Sequence, residues 1–172
     1  YIEVKSFKIF DRKIGEGCKP LIIVELGINH SGKIALAKKI IDKAKLAGAE
    51  IIKHQTHIPE FEMSNEAKKI VPVHTNENIY KIISDCSISE KNEILLKKYT
   101  QKKKMIFIST PFSREAANRL NNLNVPAFKV GSGECNNYPL LEHICKFKKP
   151  IILSTGMNDI KSIKKSVKII ER

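Results

Sequence analysis

Five short apolar runs punctuate the chain, and each gives way to polar or charged residues. Leu21-Ile22-Ile23-Val24 leads to Glu25, and Ile51-Ile52 to Lys53 and Gln55. Met105-Ile106-Phe107-Ile108 leads to Ser109 and Thr110, Ala127-Phe128 to Lys129, and Ile151-Ile152-Leu153 to Ser154. Between them the apolar period lengthens to that of a helix. Ile34, Ala37, Ile41, Ala44 and Ala47 share one helical face, which Gly48 stops. Helices are also expected at about Asn78–Cys86 and, capped by Ser89, to about Lys102. Ser113 should cap a helix bearing Ala116, Ala117, Leu120 and Leu123. A short helix should follow Pro139, and a last one carries Ile160, Ile163, Val167 and Ile170. Short strand-like runs alternating with helices read as buried parallel strands in βαβ units. In a barrel of such units the reacting groups gather at the carboxyl ends of the strands.

The chain has 172 residues, enough for one domain with a real core but short of the about 250 of a complete eight-unit barrel. The expected fold is therefore α/β: an incomplete TIM (β/α)8 barrel of about the first five βα units. Residues 1–20 alternate apolar and polar at Ile2, Val4, Phe7 and Ile9 and turn at Gly15-Glu16-Gly17, as a hairpin closing the barrel floor would. The first residue is not Met, and Arg172 falls inside a helical pattern. Residues 1–172 thus read as the front portion of a longer protein. Thr56 to about Thr75, broken by Pro59 and Pro72, reads as a long irregular lid or binding loop.

Net charge changes this picture little. The formal balance is +13, from 31 Lys+Arg against 18 Asp+Glu, which permits nucleic-acid or membrane-surface binding. Yet only Arg12, Arg114, Arg119 and Arg172 offer the planar fork that base and phosphate readout favours. Aromatics are 6% with no Trp, which leaves little for base stacking. Neither nucleic acid nor membrane is an expected partner, and no run reaches the ~20 apolar residues of a span. The Lys97, Lys98, Lys102, Lys103, Lys104 cluster reads as a solvated helix end. Cys18, Cys86, Cys135 and Cys145 form no CxxC pair and no zinc spacing with histidines. They read as reduced thiols of a cytoplasmic protein.

The candidate chemistry lies at the strand ends. Lys53 and Gln55 are two apart on one strand and share a face. Lys129 occupies the equivalent place on another strand. Two ammonium groups at one barrel mouth repel, so an anion or a carboxylate should lie between them. Gly131-Ser132-Gly133 can turn backbone N–H groups and a hydroxyl toward phosphate oxygens, and Ser154-Thr155-Gly156 parallels it one strand later. Glu25 could orient a sugar hydroxyl, move a proton, or simply pair with Lys53 or Lys129. His30, His54 and His57 raise the possibility of a metal, but His54 should point into the helix layer, and no metal site is expected here.

At these residues the chain resembles the sialic acid synthases (N-acetylneuraminate synthases). The matching stretches are Glu25-Leu26-Gly27-Ile28-Asn29-His30, Gly48 to His57, Ser109-Thr110-Pro111-Phe112-Ser113, Lys129 to Leu140, and Ser154-Thr155-Gly156-Met157-Asn158. Within them, Lys53-His54-Gln55-Thr56-His57 and Gly133-Glu134-Cys135-Asn136-Asn137-Tyr138-Pro139 favour the N-acetylneuraminate branch over the legionaminate and pseudaminate synthases. The resemblance implies a (β/α)8 barrel that condenses phosphoenolpyruvate with open-chain N-acetylmannosamine. By matching position, Lys53, Thr110, Lys129, Ser132 and Ser154 would hold phosphoenolpyruvate, while Glu25 and Gln55 would face the sugar. It also implies a divalent cation, commonly manganese, held by histidines of later strands, and a homodimer in which a C-terminal antifreeze-like domain of the partner reaches the sugar. Neither the later strands nor that domain is in these 172 residues, so the chain alone is expected to make no product. Where relatives read Pro-Gly-Asn, this chain reads Pro72-Val73-His74. The competing readings are a sister synthase using another sugar aldehyde and a non-catalytic anion-binding fragment.

Overall fold

The computed structural model describes residues 6–172. The expected alternation at Ile2 and Val4 lies outside them. An antiparallel hairpin opens the structure, β1 (Phe7–Ile9) with β2 (Arg12–Ile14). Its turn is Phe10-Asp11 and not the glycine pair expected to make it. Phe10 takes the left-handed conformation (φ 54°), a non-glycine solution that composition does not reveal.

Five βα units follow. They are β3 (Ile23–Gly27) with α1 (Ile34–Leu46), and β4 (Ile51–Thr56) with α2 (Pro59–Glu62), α3 (Ile79–Cys86) and α4 (Glu90–Lys102). Then come β5 (Ile106–Pro111) with α5 (Arg114–Asn122), β6 (Phe128–Val130) with α6 (Tyr138–Cys145), and β7 (Ile151–Leu153) with α7 (Ile160–Ile170). The five strands are parallel and lie in chain order, β3-β4-β5-β6-β7. Parallel crossovers of one hand, never reversing the strand order, lay every helix on the same face. The other face is the interior of a TIM-type barrel.

The side-chain period of two splits the core accordingly. Val24, Leu26, Ile52, Phe107, Phe128, Val130 and Leu153 face the helices and pack with Ala37, Ile41, Leu96, Ala117, Leu120, Leu141 and Ile144. Ile23, Ile51, Ile108, Ala127 and Ile152 face inward, where Ile9 of the hairpin meets them with no exposed surface. The hairpin therefore does close the floor. Arg12 adds a hydrogen-bonded ion pair to Glu50, just before β4, at 2.7 Å.

The helix signals are realised with their caps. Asn78, Ser89, Ser113, Asn137 and Asp159 each accept a backbone N–H at the first turn of the following helix. Gly48 (φ 86°) lies two residues past α1, although Ala47 is exposed and does not join that helix's buried face. The 56–75 stretch is less irregular than expected. Pro59 starts α2, and Ala67–Lys69 forms a 3-10 turn. The lysine cluster is also more structured. Lys97 donates to the carbonyls of Leu123 and Asn124 beyond α5, and Lys103 pairs with Asp42 at 2.6 Å. Lys98, Lys102 and Lys104 remain exposed.

Candidate functional site

Three strands run past the residues at which their apolar runs break. β3 continues two residues beyond Glu25, β4 reaches Thr56, and β5 reaches Pro111. The polar residues are thus held by sheet hydrogen bonds instead of hanging from loops. In register, Glu25 lies beside Lys53, and Gln55 beside Thr110. Because Lys53 and Gln55 are two apart, both face the interior above the Ile51/Ile108 floor.

Lys53 is only 6% exposed. Its Nζ sits 2.5 Å from Glu25 Oε2 and donates to Thr110 Oγ1 at 3.3 Å. Of the readings open for Glu25, the structure displays the ion pair. A β-bulge between Glu25 and Gly27 helps to place it. At Gly27 (φ 51°) a Cβ would lie 3.1 Å from Glu25 Oε1. Lys129, on β6, reaches across to Ser154 just past β7, where Nζ donates to Oγ, and it also donates at 2.8 Å to the carbonyl of its own neighbour Val130. Burial lowers the Lys129 pKa, the charge of Lys53 lowers it further, and Glu25 opposes both.

The Gly131–Gly133 loop lies against this group. Ser132 opens a 3-10 turn (Ser132–Glu134), and a Cβ at Gly131 would lie 3.9 Å from Thr110 Cγ2. One at Gly156 would lie 3.6 Å from Ser132 Cβ. Asn158 ties the two loops together, donating at 2.7 Å to the carbonyls of both Ser132 and Gly156. Lys53, Thr110, Lys129, Ser132 and Ser154 thus belong to one region of the interior face, with Glu25 at its edge and Gln55 beside Thr110. Two cations, three hydroxyls and one carboxylate leave a net positive, donor-rich surface suited to a small, oxygen-rich anion. His74 lies away from this cluster's hydrogen bonds and is exposed.

Behind the same strands, on the helix side, lies a polar cluster that the sequence reading missed. His54 points into the helix layer, as its place between Lys53 and Gln55 requires. Its Nδ1 faces Glu93 Oε1 at 3.2 Å, and its Nε2 faces His30 Nε2 at 3.1 Å. Glu93 also accepts from Thr56 Oγ1 and, at 3.4 Å, from Arg119. The Gly32 N–H donates to His30 Nδ1 at 3.1 Å, so a neutral His30 carries its hydrogen on Nε2. His54 then accepts there and donates from Nδ1 to Glu93. Burial and His54 lower the His30 pKa to about 4. Burial opposes charge on Glu93, but His54, Thr56 and Arg119 together hold its pKa below the ordinary value. One signal could have revealed Glu93: it shares the face of Leu96 and Thr100, an acid on an otherwise buried stripe.

No group of three His, Cys, Asp or Glu placed to hold a metal ion occurs among the described residues. His30 and His54 face each other, and His57 is engaged by Glu62. No helix among them is long and apolar enough to cross a membrane.

The arrangement has relatives. Residues 40–172 match the model of the NeuB family. The chain belongs to the NeuB family. It is 39% identical over 168 residues to an uncharacterized protein of Methanocaldococcus jannaschii, covering 98% of this chain and 47% of that one. It is 35% identical over 156 residues to the N,N'-diacetyllegionaminic acid synthase of Campylobacter jejuni, covering 88% and 47%. Among solved structures, the N-acetylneuraminic acid (sialic acid) synthetase of Leptospira borgpetersenii, in complex with citrate, superposes with a TM-score of 0.85 at 30% identity. That match covers 98% of this chain and 55% of the other. The chain spans about half the length of the curated relatives it matches.

Proposed function

We propose that this NeuB family chain forms the phosphoenolpyruvate-binding part of a nonulosonate synthase, and that its reaction is N-acetylneuraminate synthesis. One observation supports the reading: Lys53, paired with Glu25 and Thr110, and Lys129, bonded to Ser154, project from different strands on the face that forms the barrel interior, with Ser132 on the loop beside them. Phosphoenolpyruvate is a compact trianion at most, and its phosphate and carboxylate need such donors. In the proposed reaction C3 of the enolpyruvate attacks the aldehyde carbon of open-chain N-acetylmannosamine. Water adds at C2, and phosphate leaves with cleavage of the C2–O bond, giving N-acetylneuraminate and inorganic phosphate.

The chain's own residues would do the following. Lys53 and Lys129 bind and neutralise the anion, and in a half-buried pocket their charges act with less screening than in water. Thr110, Ser132 and Ser154 orient its oxygens. Glu25 holds Lys53 extended before the anion arrives and faces the second substrate afterwards, together with Gln55. A divalent cation, manganese by the resemblance, would polarise the aldehyde as a Lewis acid when bound. The described residues do not present the three convergent ligands such an ion needs, so it enters no step assigned here. In the whole protein, a cytoplasmic homodimer, the remaining strands and an antifreeze-like domain would complete the site.

The sugar is the finer part of the proposal, since relatives named for legionaminic acid and for N-acetylneuraminic acid both match. The test is to supply the full-length gene product with phosphoenolpyruvate, manganese and a panel of sugar aldehydes, following phosphate release and product mass. N-acetylneuraminate from N-acetylmannosamine is expected. Product only from a diamino sugar aldehyde would assign the chain to a sister synthase. No phosphate release with any aldehyde would overturn the synthase reading.

A further inference from the structure

Gln55 is held by a second arrangement that neither the anion site nor the buried cluster uses. His57 follows β4 directly, is 7% exposed, and stacks on Phe112 beyond β5 with ring centroids 4.2 Å apart and planes 14° from parallel. Its Nδ1 faces both carboxylate oxygens of Glu62, the last residue of α2, at 2.9 and 3.1 Å. The Glu62 side chain is itself 4% exposed. The opposite ring nitrogen, Nε2, faces Gln55 Oε1 at 3.3 Å. A carboxylate only accepts, so Nδ1 carries a hydrogen. Nε2 is thereby set against one end of the Gln55 amide, and the other end of that amide is left for the pocket. α2 is in turn fastened to α3 by Tyr80, whose hydroxyl donates to Glu60 at 3.2 Å.

Gln55 stands one strand step above Lys53, beside Thr110, on the loop side of the cationic layer. Being uncharged, it adds no charge to the anion site. It selects by hydrogen-bond direction, which suits a hydroxyl or carbonyl of an uncharged, oxygen-rich partner. An amide free to rotate would offer donor and acceptor alike and discriminate poorly.

We propose that His57, buttressed by Glu62 and Phe112, is a positioning residue that fixes which face of the Gln55 amide meets the sugar aldehyde, and so sets selectivity for that substrate. The inference rests on the synthase reading above and gives the 56–75 segment a role: α2 supplies the carboxylate that holds the ring.

The test is a double-mutant cycle in the full-length gene product, with the sugar aldehyde varied at saturating phosphoenolpyruvate. His57→Phe keeps the stack on Phe112 and removes both ring hydrogen bonds. It should lower kcat/KM for the sugar about tenfold, roughly the worth of one hydrogen bond to a charged group. The loss should appear in KM for the sugar, with KM for phosphoenolpyruvate unmoved. Glu62→Gln should shift the same parameter less. In a Gln55→Ala background neither substitution should change sugar kinetics by as much as about twofold, because the residue they act through is gone. Should His57→Phe fail to fold, judged by its melting transition, Glu62→Gln carries the cycle alone. Losses that multiply in the Gln55→Ala background, or a parallel rise in KM for phosphoenolpyruvate, would overturn the positioning role while leaving the synthase reading intact. An unsubstituted protein that turns over no sugar aldehyde would remove that reading, and this inference with it.

Discussion

Glu93 and the two histidines beside it show how a buried polar cluster can set the acid limit of a fold. It has no exposed surface and is held by His54, Thr56 and Arg119, while His30 behind His54 is equally buried. A histidine kept neutral in the folded state binds its proton more readily in the unfolded chain. His30's contribution to stability is therefore whole above its ordinary pKa of about 6.5 and is lost as pH falls toward about 4. The expected loss between pH 7 and pH 5 is about 2 kcal/mol, with Glu93's contribution disappearing lower still. Urea midpoints at the two pH values check this, and His30→Asn should flatten the difference. Glu93→Ala should cost about 3–5 kcal/mol at pH 7 by the same assay, since it strands Arg119 and His54 without their acceptor. The inward-facing residues of the site were legible in the sequence because strand alternation is strict: once Lys53 faces inward, so does Gln55, and His54 cannot. Glu93, Arg119 and Glu62 were not, because their partners lie 26 to 39 residues away in the first two cases, and because α2 hides in a stretch broken by prolines.

Among the elements, the hairpin and the turn after β3 position the site from below and from the side. Ile9 fills the barrel floor beneath Lys53, against Ile51, Ile108 and Ala127. Ile9→Ala should destabilise by about 2–5 kcal/mol, the range for emptying a buried aliphatic site, whereas Phe10→Ala, at a 68% exposed turn position, should change little. Thermal melting of the two variants side by side checks it. Gly32, at φ 70°, brings the β3–α1 turn so close to α3 that a Cβ would lie 2.5 Å from the Asp85 carbonyl. Gly32→Ala should therefore displace the turn, break the N–H bond to His30 and cost roughly 1–3 kcal/mol of strain. A melting temperature unchanged by Gly32→Ala would contradict the close approach. The helices were legible to within a residue or two because Asn78, Ser89 and Ser113 combine a cap with an apolar period. The hairpin's existence was legible too, but its turn was not. Glycines at 15 and 17 are the obvious turn formers, and nothing local marks Phe10 as the residue that takes the left-handed conformation.

At the scale of the molecule, five parallel strands in chain order define an arc of barrel with an inside and an outside. Among the described residues, β3 pairs only with β4 and β7 only with β6, and the Glu25 side chain on the inner face is 55% exposed. Unpaired strand edges invite association. The 172-residue polypeptide on its own should therefore sediment as an associating species and release no phosphate from phosphoenolpyruvate and N-acetylmannosamine. A stable, cooperatively melting monomer, or turnover by it, would contradict the barrel-arc account.

The central claim is that Lys53 and Lys129 form an anion site on the inner face, and one kinetic comparison tests it most directly. In the full-length gene product, kcat/KM for phosphoenolpyruvate is measured for Lys53→Ala, Lys129→Ala and Lys98→Ala. Lys98 is exposed on α4 and serves as the charge control. Losing a buried charge-assisted contact to an anion costs about 2–5 kcal/mol, and losing an exposed charge roughly 0–1. The account predicts at least a tenfold fall for each of the first two variants relative to the third, each ~1.4 kcal/mol being one factor of ten. Equal losses for all three lysines, or unaltered kinetics in Lys129→Ala, would contradict it.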